Sequence, residues 1–464
     1  MILSVEKLIY GGDGLARLPA DSNKPDDRSR GKAVFIPFVL AGEKVEASLS
    51  ENKSGFARAR ANEILESSPH RVQPACPYFF RCGGCHYQHA SYEQQVEIKK
   101  EILRENLRRI AKLELKCEIQ AHPSPPWNYR NRSRLQVRVH PEFAAGYFKF
   151  GSHELLPVEE CPISSPLINR AIAALWQAGR GGKVAGGIRE IEFFANADDS
   201  KLLIETFCAP EVKRSAVRAW AEEFCAAIPE IAGAAAFREN SNGVREQLIS
   251  IRTPELVYQT RHSSFRVSAG SFFQTNRFLS DELIDIVTAG RSGEVALDLF
   301  AGVGFFSTAL ACNFRHVISV ESSQTGAADL AYNLPTNGEA VRSAVEQYLF
   351  TASGAPHVGV GDWSATTQGE CEKGRAGKGK IPQQYLHTPD LIVVDPPRGG
   401  LGERVARSLA KLAAPRVTYV SCDPATLARD LLLLQDAAYR VEQVHLVDLF
   451  PQTFHLESVV QLLR

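Results

Sequence analysis

EVALDLFAGVG, residues 294–304, is an apolar run that ends in a carboxylate, Asp298, and two closely spaced glycines, Gly302 and Gly304. The apolar helix-like stretch FFSTALACNF follows at once, so the segment predicts a strand, a tight turn and a helix. Working outward, the same texture recurs in HVISVE (316–321), DLIVVDPP (390–397), VTYVSC (417–422) and VEQVHLVDLF (441–450), the last leading into HLESVVQLL (455–463). Short apolar strands alternating with helices predict an α/β fold with a doubly wound, Rossmann-like parallel sheet over residues 272–464. Thr351–Thr388, rich in Gly, Ser, Thr and Lys, is expected to be a loop insertion between two of these strands.

Upstream the pattern differs. Residues 1–66 alternate apolar and polar positions around glycine turns (ILSVEKLIYGGDGLARL, KAVFIPFVLAGEKVEASLSE, GFARARANEIL), which predicts a small OB-like antiparallel barrel with Asp21–Arg30 as an extended hairpin loop. Residues 67–271 combine a cysteine-rich segment, a helical stretch from Tyr92 to about Leu115, and strands such as IREIEFFAN and KLLIETFC. They are expected to form a central α+β domain.

The 464 residues balance 53 Lys and Arg against 53 Asp and Glu, so net charge favours no class of partner. Distribution says more: Lys99–Arg138 holds eleven Lys and Arg against four Glu, including Arg130, Arg132, Arg134 and Arg138 in YRNRSRLQVRVH. Such a cluster is either a solvated face or an electrostatic footprint for phosphates. There is no apolar run of membrane-spanning length, and MILSVEKLIYGGDG has no basic start or cleavage site. The expectation is a cytoplasmic, monomeric protein without a membrane partner. Its ten cysteines are then unsuited to a disulfide scaffold.

Three features converge on the carboxyl edge of the predicted sheet. Gly302 and Gly304 let the backbone approach a ligand, but Ser307 fills the third place of a dinucleotide glycine fingerprint. Glu321 ends the next strand nineteen residues after Gly302, where a carboxylate can accept from both ribose hydroxyls. This combination fits S-adenosylmethionine better than a nicotinamide. Asp395 emerges at the same edge, followed by the stiff Pro396–Pro397 pair.

Cys422 ends the next strand, and Pro424 stops that strand. A thiolate there suits a base whose carbon must be made nucleophilic: addition to C6 of uracil makes C5 enolate-like, ready to take a methyl group. A base must then remove the C5 proton so that the thiolate can leave. Glu457 is the candidate, with His455 as its rival.

The combination of FFQTN (272–276), DLFAGVGFF, Glu321, DPPRGGL, SCDP and HLES resembles the bacterial uracil-C5 methyltransferases of ribosomal and transfer RNA, and the N-terminal region resembles their TRAM domain. The resemblance implies an RNA (uracil-5-)-methyltransferase acting on RNA, 23S rRNA ahead of tRNA. It implies Cys422 as nucleophile, Glu457 as base, and Gln274, Phe300, Gly302, Gly304, Glu321 and Asp395 around the cofactor. The chain departs from the family pattern at Asp423, where Asn is usual, at Phe305, often Asn, and at Ala344, where a polar adenine contact is expected. An added carboxylate at Asp423 would raise the thiol pKa unless it is paired. These departures are the ground for the alternative, an RNA-binding iron–sulfur protein with a degenerate methyltransferase domain. An amino-group base methyltransferase is the third reading, and it needs no cysteine.

Cys76, Cys82 and Cys85 stand as C-x5-C-x2-C around Gly83 and Gly84, and Cys161 follows in EECPI. Four thiolates so spaced suit a structural zinc or an iron–sulfur cluster. The resemblance implies a [4Fe–4S] cluster on these four positions.

Overall fold

The computed structural model describes residues 1–18, 31–239, 245–352 and 388–464. The Asp21–Arg30 loop lies outside them. So does most of the Thr351–Thr388 insertion, whose first two residues end the helix Val345–Ala352.

At the N-terminus, strands Ile2–Leu8, Asp13–Arg17, Ala33–Pro37, Phe56–Glu66 and Lys44–Asn52 close, in that order, into a barrel. Period-two alternation sends Leu3, Val5, Val34, Ile36, Val45 and Ala57 inward to one core, and closure leaves no open strand edge.

A seven-stranded sheet follows, ordered Arg245–Arg252, Ile231–Glu239, Leu202–Cys208, Ile188–Ala195, Arg132–Arg138, Ala144–Phe148, Leu155–Pro157. Phe193 packs under helices Pro166–Arg180 and Arg214–Ala227, whereas Phe194 points the other way, into the core shared with the C-terminal unit.

The C-terminal sheet has eight strands: Gly338–Arg342, Phe314–Glu321, Gly293–Leu299, Leu391–Val394, Arg416–Ser421, Glu457–Leu463, Arg440–Val447 and Ile119–His122. All neighbours run parallel except that Glu457–Leu463 is antiparallel to both of its partners. The edge strand Ile119–His122 comes from the segment assigned by sequence to the central domain. Helix Tyr92–Arg109 goes with it: Ile98, Ile102, Leu103 and Leu107 pack with Leu427, Leu431 and Leu434 over this sheet. A boundary at residue 271 therefore cuts through one core. The apolar stripe at helical spacing predicts a helix but cannot say which sheet it covers. The helix also ends earlier than Leu115, because Lys112 takes a left-handed φ of 54° and the amide of Leu113 turns back to Leu107 O.

Lys99, fully buried in this helix, donates to Asp448 Oδ1 at 2.6 Å and to the Phe450 carbonyl at 2.9 Å, anchoring the loop that precedes Glu457. No helix among the described residues is long and apolar enough to cross a membrane.

Candidate active site

Strand Gly293–Leu299 ends in a bend where Phe300, Gly302 and Gly304 all have positive φ, 63°, 57° and 93°. Phe300 holds a conformation that side chains usually avoid, so this turn is imposed by its surroundings. A Cβ at Gly302 would meet nothing within 4 Å, which leaves open space above the turn; one at Gly304 would press on Leu330. Glu321 accepts from the Gly302 amide at 3.0 Å and from the Ser323 amide at 2.6 Å. Oε1 also accepts from Ser322 Oγ at 3.4 Å, whereas Oε2, bonded to Gly302 alone, keeps a lone pair for a further donor. Beneath the turn, Asp298 is fully buried, bonded to Ser307 Oγ, and burial pushes its pKa up to about 7.

Gln274 is buried in the segment 271–276. That segment reaches the same edge: Asp329 binds Ser271 Oγ at 2.7 Å, and Gly270 lies against Thr325 of the helix after Glu321. Phe305 occupies the site where Asn was expected because its neighbours Phe265, Phe273 and Phe306 form an aromatic cluster around it.

Cys422 and Glu457 meet through sheet register. The ladder between Arg416–Ser421 and Glu457–Leu463 ends at the pair Ser421–Ser458, so the next residues outward on these antiparallel strands are Cys422 and Glu457, facing one another. Glu457 is buried, and burial together with Asp395 raises its pKa well above the carboxylate range. Asp395 is pushed up to about 7 by burial and by Asp298. The Cys422 thiol rises to about 12 through burial first, then through Glu457 and Asp395, while Arg398 opposes them. His455 lies outside the strand and is pushed down to about 3 by burial and by Arg398, whose guanidinium sits 3.2 Å from its Nδ1. Such an imidazole is too weak a base to compete with Glu457. Asp423 is not a loose charge: its Oδ1 accepts from the amides of Ala425 and Thr426 at 3.0 and 2.9 Å, capping helix Pro424–Asp436.

Two residues at this centre escaped the sequence reading. Arg398 directly follows the Asp-Pro-Pro motif, so its position was available; its action on Cys422, Glu457 and His455 was not. Tyr10 reaches the Cys422 carbonyl across 412 positions of sequence, and nothing local signals that.

Within the arginine run Arg132 is largely covered, whereas Arg134 and Arg138 are exposed. Arg132 is paired with Glu192 and Glu205, and Arg134 with Glu192, 2.8 Å away, while stacking over Phe207 at 4.2 Å. These are cross-strand neighbours, since Arg134 stands opposite Glu192 in the sheet. Carboxylates neutralise Arg132 and Arg134, which narrows the expected phosphate footprint to the exposed cations around them, Arg138 among them. A groove of about 790 Å³ between the barrel and the cysteine segment is lined by Arg60 and Arg81, by Lys149, which pairs with Glu154, and by Phe35, Phe38 and Phe80. Phe80 is 50% exposed on a left-handed backbone, φ 68°.

Cys76, Cys82, Cys85 and Cys161 line one pocket of about 80 Å³. Among the described residues no three His, Cys, Asp or Glu side chains are arranged around a single metal ion. Arg130 borders the pocket with its Nε sealed from water and unpartnered, and its positive charge draws Cys82 and Cys85 toward the thiolate against burial. An anionic group held by the thiolates would satisfy that nitrogen, so donor set and charge fit a metal cluster.

Residues 91–348 and 365–464 match the family described as tRNA (Uracil-5-)-methyltransferase, and residues 3–61 match the TRAM domain. An RNA methyltransferase of Caldanaerobacter subterraneus is 31% identical over 480 residues, covering 98% of this chain and 96% of that protein. One from Aquifex aeolicus is 30% identical over 465 residues, covering 99% and 97%. The Pyrococcus abyssi tRNA (uracil-54, C5)-methyltransferase, solved with S-adenosyl-L-homocysteine, has the same fold: TM-score 0.69, 21% identity, full coverage of both chains.

Proposed function

Because the chain belongs to the tRNA (uracil-5-)-methyltransferase family and is an RNA methyltransferase, we propose that Cys422 and Glu457 carry out C5 methylation of a uridine. The observation that supports this best is the register that faces Cys422 with Glu457 at the carboxyl edge of the sheet. Cys422 sulfur bonds to C6, and the C5–C6 π electrons move onto C5. S-adenosylmethionine, which Gly302, Gly304, Glu321, Gln274, Phe300 and Asp395 would hold, would supply the methyl group: a bond to C5 forms as the sulfonium S–CH3 bond breaks, leaving the thioether. Glu457 takes the C5 proton, the C5–C6 double bond re-forms, and the C6–S bond breaks. Burial and the nearby carboxylates keep Cys422 mainly as the thiol, so the attacking thiolate forms by loss of its proton to solvent. Arg398 is the cation that favours the thiolate at that moment.

The base must be flipped from its stack to reach this edge. The barrel and the groove bearing Phe80, Arg60 and Arg81 are its RNA surface, cations for phosphates and an exposed ring for a base. The target is a uridine of 23S rRNA, with tRNA the alternative, and the enzyme works as a monomer in the cytoplasm. Mass-spectrometric mapping of 5-methyluridine in rRNA and tRNA from cells with and without the gene tests this. A lost rRNA site is expected; no lost site would favour the RNA-binding alternative. For the mechanism, 5-fluorouridine RNA should trap a covalent adduct that Cys422→Ala cannot form.

The four cysteines would hold a [4Fe–4S] cluster, since their thiols surround a pocket rather than a point and face a buried guanidinium. Its contribution is structural, joining the segment around Cys82, already bridged to Lys149, to the Cys161 turn. Cys82→Ala should lose iron and visible absorbance, whereas one equivalent of zinc in anaerobically prepared native protein would refute the cluster.

A further inference from the structure

The first turn of the barrel reaches the nucleophile. Residues 9–12 join strands Ile2–Leu8 and Asp13–Arg17, and Gly11 and Gly12 take φ values of 107° and 94°. Gly12 lies close against the cysteine segment: a Cβ there would crowd His86 Cβ at 3.1 Å, on a backbone that favours glycine. This close seating projects Tyr10 out of the barrel into the C-terminal unit. Its hydroxyl donates to the carbonyl oxygen of Cys422 at 3.1 Å. That carbonyl falls in the gap between strand Arg416–Ser421 and helix Pro424–Asp436, outside both backbone ladders.

The Tyr10 ring meets Phe454 edge-on at 5.5 Å. Phe454 in turn packs against His86 at 4.6 Å and His455 at 4.3 Å, three residues before Glu457. One side chain of the barrel thus touches the backbone of Cys422 and the loop that leads to Glu457. The phenol also faces the Asp423 carboxylate, and burial with that charge holds it protonated, so it stays a donor at any working pH.

We propose that Tyr10 is a positioning residue for thiolate attack, and that the barrel thereby completes the active centre in addition to contacting RNA. The inference rests on the uracil-C5 reading above. A neutral hydrogen bond fixing the backbone of a nucleophile sets its angle of approach, and small misplacements there cost rate rather than binding.

The test is Tyr10→Phe in the full-length protein, which removes one oxygen and keeps the ring. Single-turnover adduct formation on 5-fluorouridine RNA should slow by about tenfold, with RNA affinity and melting temperature unchanged. Tyr10→Ala, which also frees Phe454, should slow it further. Adduct formation by Tyr10→Phe within twofold of native overturns the proposal, as does a rate loss fully accounted for by weaker RNA binding or by unfolding. Native protein that forms no adduct at all overturns the uracil-C5 reading and this inference together; a native adduct with an unaffected Tyr10→Phe overturns only the inference.

Discussion

At the scale of single residues the chemistry turns on where two protons reside. The Cys422 thiol is held protonated by burial and by carboxylates, with a pKa pushed up to about 12, and Glu457 is likewise raised. In the proposed mechanism both groups act in their deprotonated forms, so the sign is the same for each: raising the pH increases the active fraction. Adduct formation should rise between about pH 6.5 and 9, approaching tenfold per unit while the thiol limits. His455, pushed down to about 3, adds no acidic limb in this range. A profile already flat at pH 6.5 would mean a preformed thiolate and contradict the account of Cys422. Glu457→Gln should leave C6 addition and methyl transfer possible and block proton removal. Methylated RNA should then stay covalently attached to Cys422, with turnover lower by about 10² to 10⁴. Free methylated product at the native rate would assign the base elsewhere. The positions of both candidates were legible because Cys422 follows one apolar strand and Glu457 begins another. Arg398 and Tyr10 were not, since their effects depend on distances that span the fold.

At the scale of elements, Asp423 illustrates how a residue can look anomalous in sequence and ordinary in place. Beside a nucleophile it reads as a harmful charge; in the structure it is the N-cap of helix Pro424–Asp436, with Pro424 at the first turn. Asn caps as well as Asp, whereas Ala does not. Asp423→Ala should therefore cost about 1 kcal/mol in chemical denaturation, and Asp423→Asn only a few tenths. The same Asn removes one of the negative charges that raise the thiol pKa, so it should speed adduct formation at neutral pH. If Asn and Ala destabilise equally, the cap is not what Asp423 is for. The elements themselves were readable from period and punctuation, as the strand ending at Asp298 and its glycine turn show. What period cannot carry is partnership: helix Tyr92–Arg109 was assigned by proximity in sequence, but Ile98, Ile102 and Leu107 pack on the C-terminal sheet. The buried Lys99–Asp448 pair fixes that choice through a contact 349 residues apart in the chain.

At the scale of the whole molecule, surface charge was the least legible property. Arg132 and Arg134 form the densest basic run, and their partners Glu190, Glu192 and Glu205 lie more than fifty positions away. Arg60 and Arg81, which have no carboxylate partner among the described residues, are distant in sequence, and folding gathers them beside Phe80 in the groove between barrel and cysteine segment. This arrangement makes a specific forecast about binding. Each phosphate contact contributes to the salt dependence of affinity, while a stacked base contributes about 1–3 kcal/mol that salt hardly changes. Arg60→Ala with Arg81→Ala should weaken RNA binding and flatten the slope of log affinity against log salt by about one to two units. Phe80→Ala should weaken binding by roughly tenfold with the slope intact. Neither should slow single-turnover adduct formation once RNA is saturating, since neither Cys422 nor Glu457 lines the groove. The opposite pattern, unchanged affinity with slower chemistry, would place the RNA path elsewhere. An altered salt slope from Arg132→Gln in a still-folded protein would return the footprint to the arginine run.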